Sequence, residues 1–137
     1  MKVNGYKIEP RANLCGADLN GANLCGADLN GANLDRADLR MTYIQLPRLF
    51  EARWRRCSDE TKLQLMRWDC ELLPGGRERF AQWVKNNSRC PFSGKIGRGA
   101  HFKEDPALWR RGRPKPMIEI WEMLVKDHGI KWDEGAA

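Results

Sequence analysis

The hydrophobic positions between Ala12 and Met41 follow neither a helical nor a strand period. Leu returns at every fifth residue, at Leu14, Leu19, Leu24, Leu29, Leu34 and Leu39, and Ala stands two places before each, at Ala12, Ala17, Ala22, Ala27, Ala32 and Ala37. A helix repeats its faces about every 3.6 residues and a strand about every two, so a gapless period of five excludes both and predicts a solenoid. Leu and Ala are the only apolar types that recur in phase and therefore form the interior. Asn or Asp precedes each Leu, where a short polar side chain at a surface corner can bond the neighbouring backbone, and glycines such as Gly16 and Gly21 ease the bends.

The unit Ala-Asn/Asp-Leu-x-x resembles the pentapeptide-repeat family over residues 12 to about 50. The resemblance implies a right-handed quadrilateral β-helix in which four pentads make one coil, so that residues twenty apart stack. Leu14 then lies under Leu34, Leu19 under Leu39, Asn13 by Asn33, Asp18 by Asp38 and Asn20 by Arg40. The pattern decays through Thr42 to Leu46 and Pro47 to Glu51, with Ile44 and Leu49 still in central phase. About two coils result, rising about 10 Å at the spacing of paired strands. So short a solenoid exposes unpaired backbone at both ends and needs caps. Val3 to Pro10, with Tyr6 and Ile8, supplies one; the rest of the chain must supply the other.

The remainder reads as mainly helical. Pro47 to Arg56 is expected to cap the last coil as a helix, with Leu49, Phe50 and Trp54 turned toward the Leu/Ala core. Ser58 followed by Asp59 and Glu60 starts a second helix, whose apolar face of Leu65, Trp68 and Leu72 stops at Pro74. A third is expected near Arg77 to Asn86. A fourth runs from Met117 to His128 with Ile120, Trp121, Leu124 and Val125 in phase, and Gly129 ends it. Arg89 to Arg98 reads as an ordered loop. The expected fold class is thus β-solenoid plus α: residues 1–51 as N-terminal cap and β-helix, and residues 52–137 as a basic, Trp-rich, mainly helical capping module packed on it. With its Cys90-Pro91-Phe92-Ser93-Gly94 loop and terminal helix, that module resembles the tails of small phage or bacterial pentapeptide-repeat proteins, which have no established activity.

Composition sharpens the division. The chain has 137 residues, 42% of them hydrophobic, and no apolar run long enough to span a bilayer. No secretory signal pattern opens the sequence, and five cysteines make an odd count, which points to a reducing cytoplasm. Residues 1–46 carry five basic and five acidic side chains, so the net charge of +6 belongs to residues 47–137, together with all six tryptophans.

Three constellations could carry chemistry. Arg110-Arg111-Gly112-Arg113-Pro114-Lys115-Pro116 contains an Arg-Gly-Arg-Pro core that looks like an AT-hook, although a match this short, between Trp109 and the last helix, is more often a connector than a hook. Cys57, Cys70, Cys90 and His101 match no compact zinc spacing and read as free thiols and an ordinary histidine. His128 reads as a partner of its helix dipole. Gly94 to Gly99 is glycine-rich and basic but lacks the P-loop spacing, and no nucleophile-base arrangement surrounds either histidine. No enzyme activity, catalytic residue, cofactor or metal is expected.

The sequence therefore points to a non-catalytic interaction protein with a protein partner, in its most concrete form a small phage or bacterial inhibitor of nucleic-acid or host-defence machinery such as an anti-CRISPR. Its solenoid contact surface would be Asn13, Asp18, Asn33 and Asp38. The alternative is direct nucleic-acid binding by Arg89, Lys95, Arg98, Lys103, Arg110, Arg111, Arg113 and Lys115 of the basic module. The gyrase-binding DNA mimicry known in the family ranks lower, because this repeat is short and neutral where such a mimic is long and acidic. No membrane partner is expected, and a homodimer through an open solenoid end is a further expectation.

Overall fold

The structure is a computed structural model that describes residues 2–72 and 106–132. The helix expected at 77–86, the loop at 89–98, and Arg89, Cys90, Lys95, Arg98, His101 and Lys103 lie outside the described residues. The elements are a hairpin of β1 (Lys2–Val3) and β2 (Tyr6–Lys7), then α1 (Leu46–Phe50), α2 (Asp59–Leu72), a 3-10 turn (Pro106–Leu108) and α3 (Met117–His128).

Between the hairpin and α1 the repeat pairs with itself twenty residues on. Asn13 bridges Asn33, Asp18 bridges Asp38 and Asn23 bridges Tyr43, all parallel. Each contact is a two-bond ladder step: Asn33 N–H donates to Ala12 O at 2.9 Å while Leu14 N–H donates to Asn33 O at 2.8 Å, and the other bridges repeat this. The bridges stay isolated because a five-residue side leaves a single residue between corners. At each corner a turn bond closes, as from Ala17 N–H to Leu14 O at 3.0 Å, with Gly16 at φ +69° in the third position of a type II turn.

This pairing drives the apolar phase inward. All six repeat leucines are at most 1% exposed, and Ala17, Ala22, Ala27, Ala32 and Ala37 are buried with them. Full burial of a Leu side chain stabilises by roughly 1.5–3 kcal/mol, so the stack of leucines dominates the stability of this part. Ile8 and the half-buried Val3 and Tyr6 close the lower end of the stack. The hairpin that places them turns at Asn4 and Gly5, both with positive φ, as the two-residue hairpin turn requires, and the Asn4 side chain donates to Asp18 O at 3.0 Å.

At the upper end the structure corrects two expectations. The eighth pentad does not continue the pairing: Arg48, twenty residues after Asp28, lies in α1, so a short helix stands where a further bridge was expected. Nor does the helix run to Arg56. It ends at Phe50 because the chain must extend again for Gly31 N–H to reach Glu51 O at 2.9 Å and for Arg53 N–H to reach Ala32 O at 2.8 Å. Leu49, Phe50 and Trp54 are nonetheless buried against the core as expected, and the Trp54 indole N–H donates to Leu49 O at 2.9 Å.

The chain's own C-terminal part closes a second side. Lys131 bridges Asp38 in parallel, donating to Ala37 O at 3.0 Å and accepting from Leu39 N–H at 2.9 Å. Helix α3 delivers it there. Its Ile120, Trp121 and Leu124 join Leu65 and Trp68 of α2 and the repeat leucines in one cluster, and Gly129 ends it in a left-handed conformation, as the sequence predicts. Edge-to-face contacts between Trp54 and Trp121 at 5.8 Å, and between Trp121 and Trp132 at 5.4 Å, fill the space between coil and helix. A lock at the start of α2 completes the packing: Asp127 of α3 accepts from Ser58 N–H at 3.0 Å and from Thr61 Oγ1 at 2.6 Å.

Candidate functional site

Asn13 stands beside Asn33 and Asp18 beside Asp38, as expected, but one side-chain oxygen of each is engaged. In all six pentads the Asn or Asp Oδ1 accepts from the backbone N–H two residues on, at 3.0–3.2 Å, including Asn13 to Cys15 and Asp18 to Asn20. These Asx turns fix the corners. Asp38 is engaged further, since the Arg40 guanidinium grips both its oxygens at 3.0 and 2.8 Å. Those side-chain bonds from Arg40 hold the Asp38 carboxyl down at about 2 against partial burial, helped by the Arg40 backbone N–H and the charges of Arg40 and Lys131. Of its two carboxylates, Asp38 is paired with Arg40, while Asp18 is exposed with one oxygen in its Asx turn, so the face carries little charge.

The basic segment between the 3-10 turn and α3 is different. It runs as a strap across α2, tied at two backbone points: Arg67 Nε donates to Arg110 O at 2.9 Å, and Lys115 N–H donates to Gln64 Oε1 at 2.8 Å. Gln64 is 2% exposed and is itself oriented by the hydrogen bond that its Nε2 donates to Glu60 Oε1 at 2.9 Å. Between the ties, Gly112 lies against the Arg67 guanidinium so closely that a Cβ there would sit 3.0 Å from its central carbon. The Arg110 side chain folds back onto Ala107 O and Trp109 O at 2.9 and 2.7 Å. Arg111, Arg113 and Lys115 remain exposed at alternate positions. Among the described residues they make no ion pair, whereas Lys7, Arg40 and Arg56 pair with Glu9, Asp38 and Asp35.

Comparison with protein families finds one match, over residues 11–41, to the family described as pentapeptide repeats (8 copies). Residues 11–41 are pentapeptide repeats. Pentapeptide repeats imply a β-helix-like fold, in keeping with the parallel pairing at twenty residues. The match ends before α1, so the strap and helices lie beyond it. No curated protein and no solved structure matches the chain.

Of the remaining sequence candidates, Arg89, Lys95, Arg98 and Lys103 lie outside the described residues, and so do Cys90 and His101 of the cysteine-histidine set. Cys57 reaches Trp54 O at 3.5 Å and Cys70 is buried in α2. Among the described residues no group of three or more His, Cys, Asp or Glu side chains could hold a metal ion, and no helix is long and apolar enough to cross a membrane.

His128, in the last turn of α3, also makes hydrogen bonds that the sequence did not suggest. It is 3% exposed, with Nδ1 at 2.9 Å from Leu124 O and Nε2 accepting from Arg56 N–H at 3.3 Å. A ring that donates from Nδ1 and accepts at Nε2 is neutral, so His128 joins α3 to the segment after α1 as a hydrogen-bond bridge. Its carbonyl also accepts from Arg36 N–H of the pentapeptide repeats at 2.8 Å. Gln64, Arg67 and Lys131 were not among the sequence candidates. Each reads as an ordinary polar surface residue, and the signal that distinguishes it is a contact with residues far along the chain.

Proposed function

We propose that this chain is a non-catalytic interaction protein, in which a short right-handed quadrilateral β-helix of about two coils and its helical cap hold a basic docking surface toward a macromolecular partner. The observation that carries the reading is the contrast between the two candidate surfaces. One side-chain oxygen of each repeat Asn and Asp is engaged with its own chain and Asp38 is paired with Arg40, while the strap presents exposed cations that make no ion pair among the described residues, on a tied backbone. A preorganised charged surface loses little conformational entropy on docking. The biological form this best suits is a small phage or bacterial inhibitor of nucleic-acid or host-defence machinery. Gyrase inhibition by DNA mimicry gains no support, because a mimic needs a dense row of free carboxylates and Asp38 is neutralised by Arg40.

The test is affinity capture with the full chain from a bacterial lysate, with and without nuclease, followed by assay of any stoichiometric partner's activity with the protein added. Capture of a nucleic-acid-handling complex whose activity falls in proportion to added protein is the expected result. No stoichiometric partner under either condition, or a partner whose activity is untouched, overturns the reading.

A further inference from the structure

We infer that the strap binds the sugar–phosphate backbone of duplex DNA through Arg111, Arg113 and Lys115, with Gln64 and Arg67 of α2 as positioning residues. This deepens the interaction reading above and rests on it. The first argument is charge. Three exposed cations at alternate positions, without an ion pair among the described residues, form a row that only a polyanion complements. Two of the three are arginines, whose planar fork matches a phosphate's oxygens in a way that a lone ammonium does not.

The second argument is the tied backbone. Arg67 holds Arg110 O and Gln64 holds Lys115 N–H, one tie at each end of the row, and Pro114 and Pro116 stiffen the stretch between and beyond. Pro114 and Pro116 also lack backbone N–H donors, so the strap is poorly suited to accept a strand from a protein partner and offers its side chains instead.

The third argument removes the AT-hook. A segment that enters a minor groove must present its slim glycine edge to the DNA, but Gly112 is half-buried and its Cβ side faces the Arg67 guanidinium, 3.0 Å from the place of a Cβ. Arg110 is exposed but is partly committed, since its Nη1 donates to Ala107 O and Trp109 O. What remains exposed contacts phosphates and reads no bases, so binding is independent of sequence.

The experiment is fluorescence anisotropy of the full chain with labelled AT-rich and GC-rich duplexes between 50 and 200 mM salt. Three phosphate contacts contribute about −2.7 to the slope of log affinity against log salt, so the triple variant Arg111→Ala, Arg113→Ala, Lys115→Ala is expected to bind more weakly and to flatten the slope by about that amount. Gln64→Ala keeps every cation and is expected to weaken binding several-fold at an unchanged slope, which distinguishes positioning from charge. Each variant is checked for wild-type melting first. Wild-type affinity and slope in the triple variant overturn the inference. So does a preference for AT-rich duplex that Arg113→Ala abolishes, which would restore the hook, and so does polyglutamate competing as well as unlabelled DNA, which would assign the strap to an acidic protein. A nuclease-resistant partner in the capture experiment, without DNA binding here, retains the interaction reading and overturns this one.

Discussion

Replacing Gly21 by Ala isolates the conformational cost of a pentad corner. Gly21 has φ +75°, and a Cβ built there meets nothing within 4 Å, so the substitution creates no clash and acts through the backbone alone. The left-handed region costs a residue with a Cβ roughly 1–2 kcal/mol. Ala also narrows the unfolded ensemble, which offsets about 0.4–1 kcal/mol of that. Gly21→Ala should therefore destabilise by about 1 kcal/mol, or about 4 °C in Tm for a chain of this size. The same corner one turn later provides the reverse experiment. Met41 stands twenty residues on, at φ +60° with 55% of its surface exposed, so a side chain that packs little is held in the same strained conformation. Met41→Gly should raise stability by about 0.5–1 kcal/mol, the strain relieved less the flexibility added to the unfolded chain. Urea and thermal melts followed by far-ultraviolet circular dichroism read both. A neutral Gly21→Ala, or a Met41→Gly that lowers the midpoint, would refute the claim that the two corners share one strained geometry.

Further outcomes concern the bonds that close the coil. Because Arg40 holds the folded Asp38 carboxyl at about 2, below its ordinary value near 4, its contribution to stability is complete above about pH 4 and is lost as pH falls toward 2. Urea midpoints measured from pH 5 to pH 2 should fall less in Asp38→Asn than in wild type; equal slopes would contradict this. Lys131→Pro removes the donor to Ala37 O on the closing edge and should cost about 1–3 kcal/mol, whereas Lys131→Ala, which keeps the backbone bond, should stay within about 0.5 kcal/mol of wild type. Nitrogen chemical shifts of the His128 ring should show the proton on Nδ1, and a proton on Nε2 would contradict the bridge to Arg56.

Much of the scaffold was legible because its signal is local and repeated. A leucine at every fifth residue is buried at each recurrence, and the six Asx turns follow from one short polar residue per unit. Helix α3 was legible from Met117 to His128 for a similar reason, with apolar residues at helical spacing and Gly129 to stop it. The legibility faded where tertiary hydrogen bonds override local preference. Glu51 to Arg56 has helical propensity, yet Arg53 must extend to donate to Ala32, and no pattern near Arg53 announces that. Lys131 lies in a stretch with no repeat phase at all, so its bridge to Asp38 was invisible. The strap was half legible. Its charge stood out in the sequence, but whether it was a free hook or a tied surface depended on Gln64 and Arg67, more than forty positions away from their partners.

The most direct test of the claim that the strap, and not the coil face, is the docking surface is an amide chemical-shift titration of the labelled full chain with a mixed-sequence duplex at low salt. The account predicts salt-sensitive shifts concentrated at Arg111, Gly112, Arg113 and Lys115 and at Gln64 and Arg67 beneath them, with Asn13, Asp18, Asn33 and Asp38 unmoved. Shifts confined to those four coil residues, or no shifts anywhere at saturating duplex, would contradict it.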